Sequence, residues 1–158
     1  MIQEERIKMN EKLELTFDRL KDEELEDVAK LYDADRLITT NRVKMKQTFA
    51  KIKDNQDYQM ITVKNNDIIV GFAKVIIHHD IFEENNPFLT IWSVRVKKEY
   101  RRLKIGTRLF EYIEKIAKDM NCECICLIAN KDNIGANQFY KELGYENENG
   151  YVKYLRLE

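Results

Sequence analysis

Two hydrophobic periods alternate along the chain, and the changes between them mark its elements. Leu13, Leu15 and Phe17 alternate with polar residues and predict a first strand over Leu13–Phe17. Leu25, Val28, Ala29 and Tyr32 then recur at three- and four-residue steps, which predicts a helix from Glu23 to about Tyr32, with Asp22 as its cap. A second amphipathic helix is predicted over Val43–Ile52. Strands follow over Tyr58–Lys64 and Ile68–Ile77. Asn65, Asn66 and Asp67 join them, and these residue types tolerate the left-handed backbone of a hairpin turn. Ile68–Ile77 is apolar on both faces and belongs at the centre of a sheet. A polar loop, Ile81–Pro87, leads to a fourth strand over Phe88–Val96.

A long helical stripe comes next. Ile105, Leu109, Phe110, Ile113, Ile116, Ala117 and Met120 share one face, while Arg108, Glu111, Glu114, Lys115, Lys118 and Asp119 occupy the other. Cys124–Ile128 reads as a fifth strand, parallel to the fourth across this helical crossover. A helix over Ile134–Leu143 has Asp132 or Asn133 as its cap and Gly144 as its left-handed exit. Tyr145 and Tyr151–Leu157 predict a closing antiparallel pair. The order predicts one α/β domain over residues 13–158, with a mixed, mostly antiparallel sheet and helices on both faces. Residues 1–12 form a charged tail or a short helix.

Composition narrows the classes. A chain of 158 residues holds one domain with a full core. Its formal net charge is −1, so no global field draws it to nucleic acid or to an anionic membrane. The longest apolar stretch, Ile68–Ile77, contains Lys74 and is too short to span a bilayer. Glu4, Glu5, Arg6 and Lys8 interrupt any early apolar run, and the expectation is a cytoplasmic protein. Cys122, Cys124 and Cys126 are spaced to share one face of a strand, and the spacing predicts a small-residue face packed beneath a helix. A zinc site would need a fourth ligand, a disulfide within a strand is geometrically poor, and reduced thiols fit the cytoplasm. No metal is expected.

Candidate chemistry gathers between the fourth strand and the long helix. Lys97, Lys98, Arg101, Arg102 and Lys104 crowd the turn, and Gly106 opens the helix. The first N–H groups of a helix lack internal partners, and its dipole favours negative charge there. Gly106, without a Cβ, lets a ligand approach the backbone closely. Three readings stand at this point: a solvated basic turn, a nucleic-acid contact, or a site for a diphosphate-bearing cofactor. The order strand, cationic turn, helix N-terminus favours the third.

Two stretches resemble the GNAT family of N-acetyltransferases. Val94, Arg95, Val96, then Tyr100, Arg101, Arg102, Leu103, Lys104, Ile105 and Gly106 resemble that family's acetyl-CoA pyrophosphate loop. The loop motif is Gln or Arg, two variable residues, Gly, one variable residue, then Gly or Ala; Arg101 and Gly106 match it, and Lys104 replaces the first Gly. Asn133, Ala136, Phe139, Tyr140 and Gly144 resemble the family's late helix. The resemblance covers the element order from Leu13 onward and implies a sheet splayed between strands 4 and 5, with the pantetheine arm of acetyl-CoA between them. Val94, Arg95 and Val96 would lie along that arm, with backbone groups of Val94 and Val96 bonding its amides. N–H groups from Arg102 through Leu103, Lys104, Ile105 and Gly106 to Thr107 would hold the pyrophosphate, with charge from Arg101 and Lys104. Lys104 either crowds the backbone approach or adds a phosphate contact, and retention of Gly106 favours the contact. Asn133 would meet the pantetheine or adenosine side, and Ala136, Phe139 and Tyr140 on the same helix would also bind the cofactor.

The implied reaction is direct attack of a primary amine, on a small molecule or a peptide, upon the thioester carbonyl. An N–H near Val94 would stabilise the oxyanion. Tyr140 would protonate the departing thiolate, since a phenol, with an ordinary pKa of about 10, is protonated at pH 7. Trp92 stands where many relatives carry a Glu that takes the amine proton, so the resemblance supplies no base. His78 and His79 are candidates by residue type. An acyl-CoA-binding module without turnover is the alternative. No nucleic-acid or membrane partner is expected, and the reading allows a homodimer.

Overall fold

The computed structural model describes residues 12–82, 86–148 and 150–155, which fall into two compact units, one ending at Leu127 and the other starting at Ile128. The tail expected over residues 1–12 lies outside the described residues, Lys12 excepted.

In the first unit five strands follow in chain order across one sheet: β1 (Leu15–Arg19), β2 (Tyr58–Asn65), β3 (Ile68–His78), β4 (Phe88–Val96) and β5 (Ile125–Leu127). The first four pair antiparallel, and β5 runs parallel to β4. The predicted mixed sheet is observed, with the doubly apolar β3 at its centre. Asn66 and Asp67 turn the β2–β3 hairpin at φ 47° and 66°, the left-handed pair that suits a two-residue loop. β1 begins later than its alternation suggests, because its ladder runs from Leu15 opposite Asn65 to Arg19 opposite Ile61.

Register decides what each face meets. Phe17 lies opposite Val63, Ile61 opposite Ala73, and Ile91 opposite Val75, so these side chains share one face. The crossover helix α3 (Ile105–Asp119) covers it: Tyr112 stacks on Phe17 at 5.2 Å, and Leu109, Phe110 and Ile113 are fully buried. Each such side chain contributes about 1.5–3 kcal/mol by leaving water, which is what ties this helix to the sheet. The opposite face carries Met60 and Phe72. It packs against α1 (Leu25–Arg36) and α2 (Arg42–Ile52) through Leu25, Val28, Leu31 and Phe49.

Asp22 does not cap α1. It lies inside a single 3₁₀ turn, Asp22–Glu24, where the Glu24 carboxylate accepts the Lys21 N–H at 2.9 Å and Asp22 pairs with Lys53 at 2.7 Å. Asn41 caps α2, its side-chain oxygen accepting the Lys44 N–H at 3.0 Å.

The second unit is built on α4 (Ile134–Glu142). Asn133 Oδ1 accepts the Ala136 N–H at 3.1 Å, and the chain leaves the helix through Gly144 at φ 87°. The predicted closing pair of Tyr145 and Tyr151–Leu157 is not formed among the described residues. Alternation supplies the side-chain pattern of a strand but not its ladder, and Tyr151 and Tyr154 stand in solvent. Residues 156 and 157 lie outside the described residues.

Candidate active site

The fourth strand outruns its neighbour. β5 pairs with β4 only from Leu89 opposite Ile125 to Ile91 opposite Leu127, so Trp92 to Val96 have no strand on that side among the described residues. Just past the end of the pairing β4 bulges. The β3–β4 register shifts between Phe72 and Lys74, and Ser93 takes φ 56°. One extra residue on a strand breaks the alternation and re-aims the backbone beyond it. Beyond the bulge the Arg95 carbonyl faces Gly71, 2.9 Å from where a Cβ would stand, and the Lys97 N–H bonds the Val70 carbonyl at 2.8 Å. Residues 95 and 97 therefore turn their backbone groups toward β3. Val94 and Val96 turn theirs to the open side.

A basic turn joins this edge to α3. A 3₁₀ turn, Lys98–Tyr100, is followed by Arg102 at φ 67° and Lys104 at φ 56°. Leu103 and Ile105, 2% and 1% exposed, anchor the turn in the core while Arg102 and Lys104 face water. Lys104 precedes the first residue of α3, and its side chain makes no capping bond. The N–H groups from Lys104 to Thr107 are the ones that helical geometry leaves without internal acceptors.

The guanidinium of Arg101 does not stand free in this turn. Its Nε donates to the Val96 carbonyl at 3.0 Å and its Nη2 to Asp35 Oδ1 at 2.5 Å. Arg95, stacked 5.6 Å over the Tyr32 ring, donates Nη1 to the Val94 carbonyl at 2.7 Å and pairs Nε with Asp35 Oδ2 at 2.7 Å. One carboxylate at the end of α1 thus holds two arginines, each lying on a carbonyl of the open edge. The sequence pattern gave no sign of Asp35, which lies in a polar run, 66 residues from Arg101.

Trp92 is 43% exposed, on the face that α1 and α2 cover only in part. The Lys74 ammonium lies 6.0 Å from the centre of its ring and 5.9 Å from that of Tyr58, whose phenol burial pushes up. The two histidines separate. His78 stacks on Phe88 at 4.7 Å with Nε2 2.9 Å from Thr90 Oγ1, whereas the exposed His79 contacts Asp57 at 2.9 Å. In the second unit, Asn133, Ala136, Phe139 and Tyr140 gather on α4 and its cap. The ring centres of Phe139 and Tyr140 are 5.6 Å apart, and those of Tyr140 and Tyr145 6.3 Å.

The cysteine face is not buried as predicted. Only Cys126 lies in β5, and both Cys124, just before the strand, and Cys126, within it, are exposed. Their sulfurs are 3.8 Å apart, as free thiols. Desolvation, then the hydrogen bond to Cys126 and nearby negative charge, push the Cys124 thiol up to about 11. No group of three metal-ligating side chains converges among the described residues, and none of their helices is long and apolar enough to cross a membrane.

Known proteins resemble the chain in sequence and in fold. The Drosophila melanogaster protein Probable N-acetyltransferase san is 42% identical over 82 residues, 51% of this chain and 43% of that protein, so the chain matches less than half of this relative's length. A transcriptional regulator from Bacillus halodurans superposes with a TM-score of 0.82 at 22% identity, over 90% of this chain and 99% of the other. A GNAT family acetyltransferase from Staphylococcus aureus does so with a TM-score of 0.72 at 25% identity, over 89% and 98%. Residues 25–145, from the start of α1 past the end of α4 and so across the open edge, the basic turn and the Asn133–Tyr140 helix, match the Acetyltransferase (GNAT) family, and the chain belongs to it.

Proposed function

We propose that the protein is an acetyl-CoA-dependent N-acetyltransferase acting on a primary amine by direct attack. The observation that carries this reading is the open edge of β4 running through a basic turn into the uncapped N-terminus of α3. A pantetheine arm is a short chain of amides, and an unpaired strand edge offers it donors and acceptors at strand spacing. The N–H groups at the start of α3 suit a pyrophosphate, and Arg102 and Lys104 add exposed charge. Arg101, engaged with Asp35 and Val96, serves the shape of the turn more than its charge.

When bound, acetyl-CoA supplies the activated thioester. The backbone N–H of Val94 lies on the open side of the strand and suits the oxyanion formed on attack. Tyr140 is the proposed proton donor to the thiolate, in an N-acetyltransferase domain spanning residues 13–158. The named activity of the Drosophila relative supports transfer to nitrogen. The reaction belongs in the cytoplasm, where free thiols persist, with no role for nucleic acid. A second reading, acyl-CoA binding without turnover, draws on one observation: both oxygens of Asp35 are already taken by guanidinium groups. Calorimetric titration with CoA, followed by a thiol-release screen of polyamines, aminoglycosides, amino acids and peptide N-termini, tests both. CoA binding with turnover of an amine supports the transferase. Binding with no turnover favours the second reading, and no binding refutes both.

A further inference from the structure

The carbonyls of Val94 and Val96, on the open edge that the proposed function gives to the pantetheine arm, already carry guanidinium donors. Arg95 leaves β4 on the face of Phe72, lies over Tyr32 of α1, and curls back to the edge. Arg101 closes a loop onto Val96 five residues earlier, bringing the turn back against the strand it left. Arg101 donates a second arm to Asp35, and the Arg95 Nε lies 2.7 Å from the other carboxylate oxygen as an ion pair without hydrogen-bond alignment. We infer that Asp35 is a positioning residue for the acyl cofactor: it sets the open edge and the phosphate turn in their binding geometry. This inference rests on the cofactor reading above.

The physical case is one of restraint. A carbonyl oxygen has two lone pairs, so Val94 and Val96 can keep their arginines and still accept from a pantetheine amide. Arg101 is about half exposed, and a long side chain in water holds one geometry only when several groups fix it. Asp35 and the Val96 carbonyl together do so. Without the carboxylate, Arg101 lets go of the turn, and the N–H groups that follow lose their common aim. The charge argument runs the other way, because a freed arginine would attract phosphate and tighten binding. The two arguments predict opposite signs.

The experiment measures CoA affinity by calorimetry and KM for acetyl-CoA and for the amine, in wild type, Asp35→Asn, Arg101→Lys and the double variant. Asp35→Asn is near-isosteric. Arg101→Lys keeps the charge and removes the fork on an exposed side chain, so it reports even if the first variant folds poorly. The expected result is a CoA Kd raised about tenfold in each single variant, the scale of one lost charge-assisted hydrogen bond. The double variant should be no worse than the weaker single, since both break one network. The loss should fall on KM for acetyl-CoA and leave KM for the amine within about twofold. Unchanged or tighter CoA binding in Asp35→Asn, normal binding in Arg101→Lys, or losses that multiply in the double variant would each overturn the inference. Failure of the wild type to bind CoA is a different outcome, since it refutes the cofactor reading itself.

Discussion

Lys104 sits at φ 56° and ψ 14°, a backbone conformation that costs a residue with a Cβ about 1 kcal/mol or more. Glycine reaches it without that cost. Glycine also frees the unfolded chain, which offsets about 0.5 kcal/mol of the gain. Lys104 is exposed and has no buried contact to lose. Lys104→Gly should therefore stabilise the fold by about 0.5–1 kcal/mol, a rise of roughly 1–4 °C in Tm for a chain of this size. The same variant removes a positive charge from the proposed phosphate site. An exposed charge pair is worth about 0.2–1 kcal/mol, so CoA binding should weaken about 2–5-fold even as the fold tightens. Lys104→Asn separates the two effects: asparagine tolerates the left-handed region but carries no charge, so Tm should move little while CoA affinity falls by a similar amount. Thermal unfolding without ligand and calorimetry with CoA at two salt concentrations supply both readouts. A Tm that falls in Lys104→Gly would refute the backbone argument, and CoA affinity unchanged in both variants would refute the charge argument.

Tyr140→Phe keeps the ring beside Phe139 and Tyr145 and removes the proposed proton; kcat should drop by about 10²-fold with CoA affinity near normal, measured where chemistry limits the rate. Gly71→Ala puts a methyl 2.9 Å from the Arg95 carbonyl, so it should cost about 1–3 kcal/mol in thermal or denaturant unfolding and weaken CoA by displacing the edge; a neutral result would show that β4 shifts freely. A thiol at about 11 instead of 9 is mostly protonated at pH 8, so Cys124 should alkylate about 10–100-fold more slowly than an ordinary thiol, its rate still rising past pH 10, as peptide mass spectrometry would show. Two acceptor amines whose pKa values differ by about 2 units should give kcat/KM profiles displaced by about that much; a fixed acidic limb lost in His78→Ala would instead make that histidine the base.

Elements bounded by local signals were legible in the sequence. Asn66 and Asp67 carried the hairpin, the stripe from Ile105 to Ala117 carried the crossover helix, and Gly144 carried the helix exit, each through chemistry confined to a few residues. Phe88–Val96 was placed at the observed bounds because alternation and burial agree there. What failed needed a partner far along the chain. The closing pair has the right pattern but forms no ladder among the described residues, and Cys126 is exposed although it lies in β5. The basic turn was visible as composition, yet its backbone was not: Arg102 and Lys104 are poor residues for positive φ, and only the burial of Leu103 and Ile105 on either side of Lys104 forces the chain through that region. Asp35 was invisible for the same reason. Its role comes from two arginines brought to it by the sheet and the turn, and no spacing rule relates residue 35 to residues 95 and 101.

The same long-range packing bears on the missing base. Trp92 and Lys74 lie on the sheet face opposite α3, and an amine that reached the β4 edge across that face would pass both. Asp35, the carboxylate that pairs with Arg95 and Arg101 at that edge, has a guanidinium at each oxygen. Lys74 adds a positive charge beside the Trp92 ring. A protonated amine entering there meets a like charge in a half-buried setting, which disfavours the ammonium and favours the neutral form. The site would then select the reactive protonation state by repulsion, without a residue to remove the proton. A kcat/KM profile that tracks the acceptor's own ionisation is the kinetic form of that selection. Lys74→Met should let the bound amine hold its proton to higher pH, moving the kcat profile, which reports the bound state, upward, while the free-state kcat/KM profile stays with the amine.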